Sequence, residues 1–223
     1  MNIGDLVLYK NNQLIAFNKP VALPVQADKT GDKSLVDLAE IYTKSKLELV
    51  HRLDRPASGL TLLAKTPKAV VELNAQFQAK SIRKTYLAVV RNAPPEETGT
   101  LIHYLRKDGK KNLSRAFSEP VAHSKKAELR YEIIAKSEQY HLLKVDLITG
   151  RHHQIRAQLA AIGCPIRGDV KYGFKRGNKD RSIQLHAWRM AFHHPVSKEL
   201  VELEAPLPEG NIWLAFADQL SKE

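Results

Sequence analysis

The spacing of apolar and polar positions changes character many times along the chain. Leu6 to Tyr9 and Leu14 to Phe17 are short apolar runs separated by Asn11-Asn12, which predicts an opening β-hairpin. Asn18-Lys19-Pro20 ends its second strand, and Gly31 to Lys33 is a polar break. Ser34 is a predicted helix cap, with Asp37 in the capping-box position, for a helix from Leu35 to about Ser45. Leu49 to Ala64 reads as strand with something tighter around Pro56 and Gly59. Thr66 then caps a second helix that starts at Pro67, with Ala69, Val70, Leu73 and Phe77 at helical spacing. Tyr, Leu and Val make Lys84 to Val90 a strand, and Pro94-Pro95 makes Asn92 to Gly99 a loop. Residues 128–135 and 140–148 alternate like paired strands. A third helix is expected from near Arg151, carrying Ile155, Leu159 and Ile162 on one stripe and ending at Gly163. Short strands follow at Gln184–Trp188 and Leu200–Glu204, then a last helix from Ile212 to Leu220.

Many strands adjacent in sequence with about four separated helices do not make a regular strand–helix alternation. The pattern predicts an α+β fold, a mixed and largely antiparallel sheet flanked by helices. No repeat or convincing linker interrupts it, so a single domain over residues 1–223 is expected. The 223 residues are 43% hydrophobic and 26% charged, a balance that excludes a disordered tail protein. Cys164 is the only cysteine, so an intramolecular disulfide is impossible and a cysteine zinc site is disfavoured. No apolar run approaches the roughly 18 residues of a membrane span, and Met1 to Lys10 has no signal-peptide pattern. A cytoplasmic monomer with no membrane association is the expectation. The net charge of +11 points to a polyanion, nucleic acid first, with simple solubility as the plainer explanation.

Three segments concentrate candidate chemistry. In His51-Arg52-Leu53-Asp54-Arg55-Pro56-Ala57-Ser58-Gly59-Leu60, a carboxylate lies between two arginines ahead of a turn. Neighbouring cations favour its ionised form, able to act as nucleophile or base. The same arginines can instead bind phosphate with Asp54 orienting them, or the cluster is a surface ion pair beside a turn. Thr149-Gly150-Arg151-His152-His153-Gln154-Ile155-Arg156 places charge and donors at an expected helix start, a favourable phosphate site. Arg156 borders the apolar stripe, and a half-buried arginine demands an anionic partner. The adjacent histidines lack the i, i+4 spacing of a zinc helix, so no metal is expected. In Gly163 to Gly173, Asp169 reads as a turn-stabilising residue or a second functional carboxylate. Two basic stretches, His103–Lys126 and Arg167–Arg181, look like mobile loops able to grip a phosphate backbone.

Taken in order, these segments resemble the RluA-type family of RNA pseudouridine synthases. The resemblance runs from about Leu14 to Pro195. It rests on Asn18-Lys19-Pro20, the His51–Leu60 segment, Lys84-Thr85-Tyr86-Leu87-Ala88 and Thr149 through Arg156. Pro165-Ile166, Gly168-Asp169, Tyr172-Gly173, Leu185-His186-Ala187 and His194-Pro195 complete it. His152, Gln158, Cys164 and Arg91 depart from the usual pattern.

The resemblance implies the pseudouridine synthase fold with a central catalytic cleft, and an isomerase that converts uridines of ribosomal or transfer RNA to pseudouridine. Asp54 matches the catalytic aspartate, Tyr86 the tyrosine that stacks on the target base, and Arg156 the arginine that pairs with that aspartate. Arg52 matches the arginine that replaces the flipped-out base. His51, Arg55, Lys84, Arg151, His153 and Leu185 are the further expected substrate-binding residues. No metal or organic cofactor is implied. The competing expectation is an RNA-binding or RNA-folding protein of the same fold whose role does not depend on catalysis.

Overall fold

The computed structural model describes residues 2–220. A 3-10 turn leads into β1 (Val7–Lys10) and β2 (Leu14–Lys19), followed by α1 (Leu35–Thr43), β3 (Glu48–Leu49), β4 (Ser58–Ala64) and α2 (Pro67–Gln78). Then come β5 (Arg83–Val90), β6 (Thr98–Asp108), β7 (Leu113–Phe117), β8 (Lys125–Lys136), β9 (His141–Leu147) and α3 (Gln154–Ala161). A second 3-10 turn (Val170–Tyr172) precedes β10 (Leu185–His193), β11 (Leu200–Glu204) and α4 (Asn211–Leu220). The architecture is the expected one, a mixed and mostly antiparallel sheet arrangement with four helices.

The chain divides into two compact units, each built from two stretches of sequence: Met1–Lys84 with His186–Pro208, and Thr85–Leu185 with Glu209–Glu223. Neither unit is contiguous, which is why no linker composition marks a boundary between them.

In the first unit the strands run β1-β2-β4-β10, with β11 on β10 and β3 on β4. Every pair is antiparallel except β4 with β10. All seven residues of β4 are buried, as are Leu14 to Phe17 of β2. Both faces of these strands are covered, and that removes the period-2 alternation that would have announced β4. One covering layer is α1. Its Leu35 and Ala39 pack with Ile15, Phe17, Leu47 and Leu63. The helix starts where expected, because Ser34 and Asp37 form a complete capping box. Thr66 and Pro67 begin α2 in the same predictable way.

Gly59 is needed where β4 meets β10. Its φ is +110°, and a Cβ there would stand 2.3 Å from the Ala187 carbonyl oxygen and 2.6 Å from the Ala187 nitrogen. Both contacts are backbone, so neither can swing away. Gly59→Ala should therefore cost about 3 kcal/mol of stability or more, read as a lower denaturation midpoint.

In the second unit the strands run β5-β9-β8-β6-β7, all antiparallel. A bulge between Ile133 and Ala135 interrupts the otherwise regular β8–β9 ladder. Ala157 of α3 packs on Leu105 and Ala127, and Ala116 and Tyr172 extend that small core. Helix α4 lies against β8 and buries Trp213 and Phe216.

Two expectations need correction here. The basic stretch 103–126 is not a loop: Arg106, Lys107 and Arg115 lie in the strands of a hairpin, and Lys125 and Lys126 begin β8. Arg106 and Lys107 put exposed charge on both faces of β6, which hides the alternation that a half-buried strand displays. Helix α3 starts at Gln154 rather than near Arg151, because His153 adopts a left-handed conformation (φ 51°, ψ 31°) just before it. Its end is as expected. Gly163 is left-handed, its N–H donates to the Ala160 carbonyl, and the Cys164 N–H donates to that of Leu159. No helix among the described residues is long and apolar enough to cross a membrane.

Candidate active site

In the first unit, Asp54 opens a tight turn in which the Ala57 N–H donates to the Asp54 carbonyl at 3.0 Å. Two cations lock this turn to the preceding loop. Lys19, at the end of β2, has a relative exposure of 0%. Its Nζ donates to the carbonyls of Ala57 (2.6 Å), Pro20 (2.9 Å), Leu23 (2.9 Å) and Arg55 (3.3 Å). Burial pulls the Lys19 pKa down to about 7, while the nearby Asp54 charge acts in the opposite direction. A ring of four carbonyl oxygens is matched to an ammonium rather than to a neutral amine. Lys19 thus ties the backbone just after Asp54 to the loop at Pro20 and Leu23.

Arg55 is the outer clamp. Nε donates to the Ala22 carbonyl at 2.9 Å, Nη1 to Asp28 at 3.0 Å and Thr30 at 2.9 Å, and Nη2 to Asp32 at 2.5 Å. With two carboxylates on its guanidinium, Arg55 serves as a strut for the loop of residues 22–32. Arg52, by contrast, is exposed.

His51 packs behind the turn. Its Nε2 accepts the Leu62 N–H at 2.9 Å, which places the ring proton on Nδ1, and its ring lies 5.6 Å from that of Phe77. Lys84 covers the same phenylalanine at 5.5 Å. Burial, with Lys84 adding to it, holds the His51 pKa down at about 3. His186, which shares a 2.9 Å hydrogen bond with the Ser58 hydroxyl, is pulled by burial to about 4. Both imidazoles are neutral when folded, whereas the unfolded chain takes up protons near the ordinary value of 6.5. Their contribution is therefore complete above pH 6.5 and is lost as the pH falls, toward about 4 for His186 and about 3 for His51. Urea unfolding followed between pH 7 and 5 should show stability falling with acidification. His186→Gln should flatten that slope.

The second unit supplies the other expected residues. Tyr86 lies on β5, buried and in register with Val145. Leu185, at the start of β10, is also buried. Arg156, in the first turn of α3, is 4% exposed, and it has the anionic partner that such burial demands. Nε and Nη2 donate to the two oxygens of Asp169 at 2.6 and 2.9 Å, a two-pronged pair. The guanidinium carbon also stands 4.9 Å from the Tyr172 ring centre.

Around Tyr172 a polar network joins three elements. Its hydroxyl accepts the Ser114 N–H at 2.8 Å and meets His153 Nδ1 at 3.0 Å. Ser114 Oγ meets His152 Nδ1 at 2.9 Å, and the two imidazoles stack at 3.8 Å. Gln154, the first residue of α3, braces the chain ahead of the helix. Its Oε1 accepts from the Arg151 N–H and the Thr149 hydroxyl. Arg151 is exposed and donates Nε to the Lys126 carbonyl at 3.1 Å. Gln158, one of the positions departing from the family pattern, is buried and donates to the Leu101 carbonyl at 3.0 Å.

The first unit thus gathers His51, Arg52, Asp54, Arg55 and Lys84; the second gathers Tyr86, Arg151, His153, Arg156 and Leu185. Sequence reasoning gave no role to Lys19, and it left Asp169 between turn support and function. Both lie inside motifs already quoted, Asn18-Lys19-Pro20 and Gly168-Asp169, so the signal was present but its geometry was not. Among the described residues no three His, Cys, Asp or Glu side chains converge to hold a metal ion.

Comparison with known proteins agrees with the motifs. The sequence model of the RNA pseudouridylate synthase family matches residues 13–161. An uncharacterized RNA pseudouridine synthase of Bacillus subtilis (strain 168) is 32% identical over 212 residues, covering 91% of this chain and 69% of the relative. The ribosomal large subunit pseudouridine synthase C of Yersinia pestis is 32% identical over 213 residues, covering 92% and 66%. The chain thus spans about two thirds of the length of these relatives. Among solved structures, human RNA pseudouridylate synthase domain containing 4 superposes with a TM-score of 0.77 at 22% identity, covering 98% of this chain and 94% of its own. Its human relative, domain containing 1, gives 0.76 at 23%, covering 91% and 83%. These two establish the fold, while the family match and the 32% relatives establish membership. With its motifs, fold and relatives in agreement, this chain belongs to the RNA pseudouridylate synthase family, isomerases that convert uridine in RNA to pseudouridine.

Proposed function

We propose that the chain isomerises uridine in ribosomal RNA, with Asp54 as its catalytic carboxylate. The observation that carries the assignment of Asp54 is the clamped turn. A buried ammonium and a doubly paired guanidinium hold the backbone around this one carboxylate. Ribosomal RNA is preferred over transfer RNA because several of the similar curated proteins are named as large-subunit ribosomal enzymes.

The reaction breaks the bond from N1 of uracil to C1′ of ribose, turns the base, and joins C5 to C1′. The proton leaves C5 and N1 ends protonated, so atoms balance without redox or an external reactant. A carboxylate can start this by attacking the sugar, attacking the base or removing a ribose proton, and each route needs Asp54 in its charged form. Tyr86 takes the base-stacking role and Arg156 the charge-supporting role that the family resemblance implies. The target must leave its stack, at a cost of a few kcal/mol that stacking in the pocket offsets. Arg52 is exposed, as a side chain filling the vacated place must be. A cytoplasmic monomer is the form proposed to act.

Mapping pseudouridines in total RNA from cells with and without the gene tests this directly. A ribosomal uridine modified only when the gene is present supports the proposal. An unchanged ribosomal map with a lost transfer RNA site moves the substrate, and no change in any RNA overturns it.

A further inference from the structure

The open face of the β6–β7 hairpin carries an arrangement that the chemistry above does not use. Leu105 and Ala116 point to one side of the hairpin, where α3 packs. Side chains alternate along a strand, so Tyr104 and Arg106 of β6, and Arg115 and Phe117 of β7, point to the other side. The register sets Arg106 directly across from Arg115, and Tyr104 directly across from Phe117. Both arginines are exposed, and neither is ion-paired among the described residues. The Arg106 guanidinium lies 5.1 Å from the Phe117 ring centre. Next to them on β8, Lys126 stands across from Tyr104, but Glu128 pairs with it at 3.4 Å.

Like charges placed directly opposite in a strand pair destabilise it. No packing requirement explains them here, because this face is not covered by a helix. An anion bridging the two guanidiniums would turn the repulsion into attraction. Guanidiniums beside aromatic rings suit single-stranded nucleic acid, whose phosphates take the charge and whose bases stack on rings and guanidinium planes.

We propose that this face of the hairpin is an RNA-docking surface. Arg106 and Arg115 hold the phosphate backbone, and Tyr104 and Phe117 form a platform for an unpaired base. The proposal rests on the RNA reading above and extends it to a defined surface. The hairpin is anchored at its far side, where Ser114 bonds to Tyr172 and His152, and Lys171 Nζ donates to the Asn112 carbonyl at 3.2 Å. RNA docked on it is thereby held in fixed register with α3 and Arg156. The lysines of the same stretch fall elsewhere. Lys107 shares the opposite side with Ser114, and Lys110 and Lys111 lie in the turn between the strands.

The test measures binding of a short fluorescein-labelled oligouridylate over a range of salt concentrations. For the Arg106→Gln/Arg115→Gln double variant, affinity should fall about tenfold or more, and the salt slope should drop by about 1.4, from two lost phosphate contacts on a single strand. Its thermal midpoint should be unchanged or higher, because a like-charge pair is gone. Lys110→Gln/Lys111→Gln should change affinity less than about threefold, and Phe117→Leu should weaken binding with no change in slope. With substrate RNA, the arginine variant should raise KM and leave kcat alone. A folded arginine variant with wild-type affinity and slope overturns the proposal, as does equally tight binding of polyglutamate. Wild-type protein that binds through this face but isomerises no RNA refutes the enzymatic reading and leaves the docking surface standing.

Discussion

Asp54→Asn should abolish release of tritium from C5-labelled uridine in RNA, with a rate loss of about 10⁴-fold or more, as expected for removal of a group that acts on the reacting atoms. The substitution preserves shape and leaves the backbone contacts of the turn in place. The Ala57 N–H reaches the Asp54 carbonyl, and Lys19 holds the carbonyls of Arg55 and Ala57. The variant should therefore stay folded and bind RNA as the wild type does. That combination separates the proposed isomerase from an RNA-binding protein of the same fold. If Asp54→Asn and the wild type released tritium equally on every RNA tried, the catalytic assignment would fail.

Asp169→Ala should have the second largest effect, on folding as well as on activity. It strips the buried Arg156 of a two-pronged carboxylate partner at 2.6 and 2.9 Å. Breaking a buried pair from one side costs about 3–5 kcal/mol, enough to move the denaturation midpoint far down. A second variant distinguishes a stability role from a functional one. Replacing both partners with apolar residues, as in Arg156→Met/Asp169→Leu, removes both charges of the buried pair and should recover part of the lost stability. Tritium release should nevertheless stay absent, because Arg156 is gone. Recovery of activity together with stability would reduce the pair to packing.

The elements that were legible in the sequence are those with local causes. Ser34 with Asp37, Thr66 with Pro67, and Gly163 each act within a few residues, and the helices they bound begin or end as expected. Misreadings came where the cause is distant. The hairpin of β6 and β7 reads as loop because Arg106 and Lys107 put charge on both faces of β6, and only the pairing with β7 and β8 shows that these are strands. The start of α3 was displaced by the left-handed His153, whose conformation accompanies contacts with Tyr172, nineteen positions away in the chain.

The candidate site divides in the same way. Asp54, Tyr86 and Arg156 were named from motifs, since residue type and order survive in the linear sequence. Arg55 was expected on substrate, yet its guanidinium is engaged by Asp28 and Asp32, more than twenty positions earlier. Lys19 and Asp169 gained roles only when the fold supplied their partners. The sequence by itself determined the family, the helix boundaries set by local caps, and a cationic chain suited to RNA. Tertiary structure decided which charges are spent inside the protein and which face outward. Composition counts a buried Lys19 and an exposed Arg106 alike, because burial and pairing depend on residues far apart in the chain.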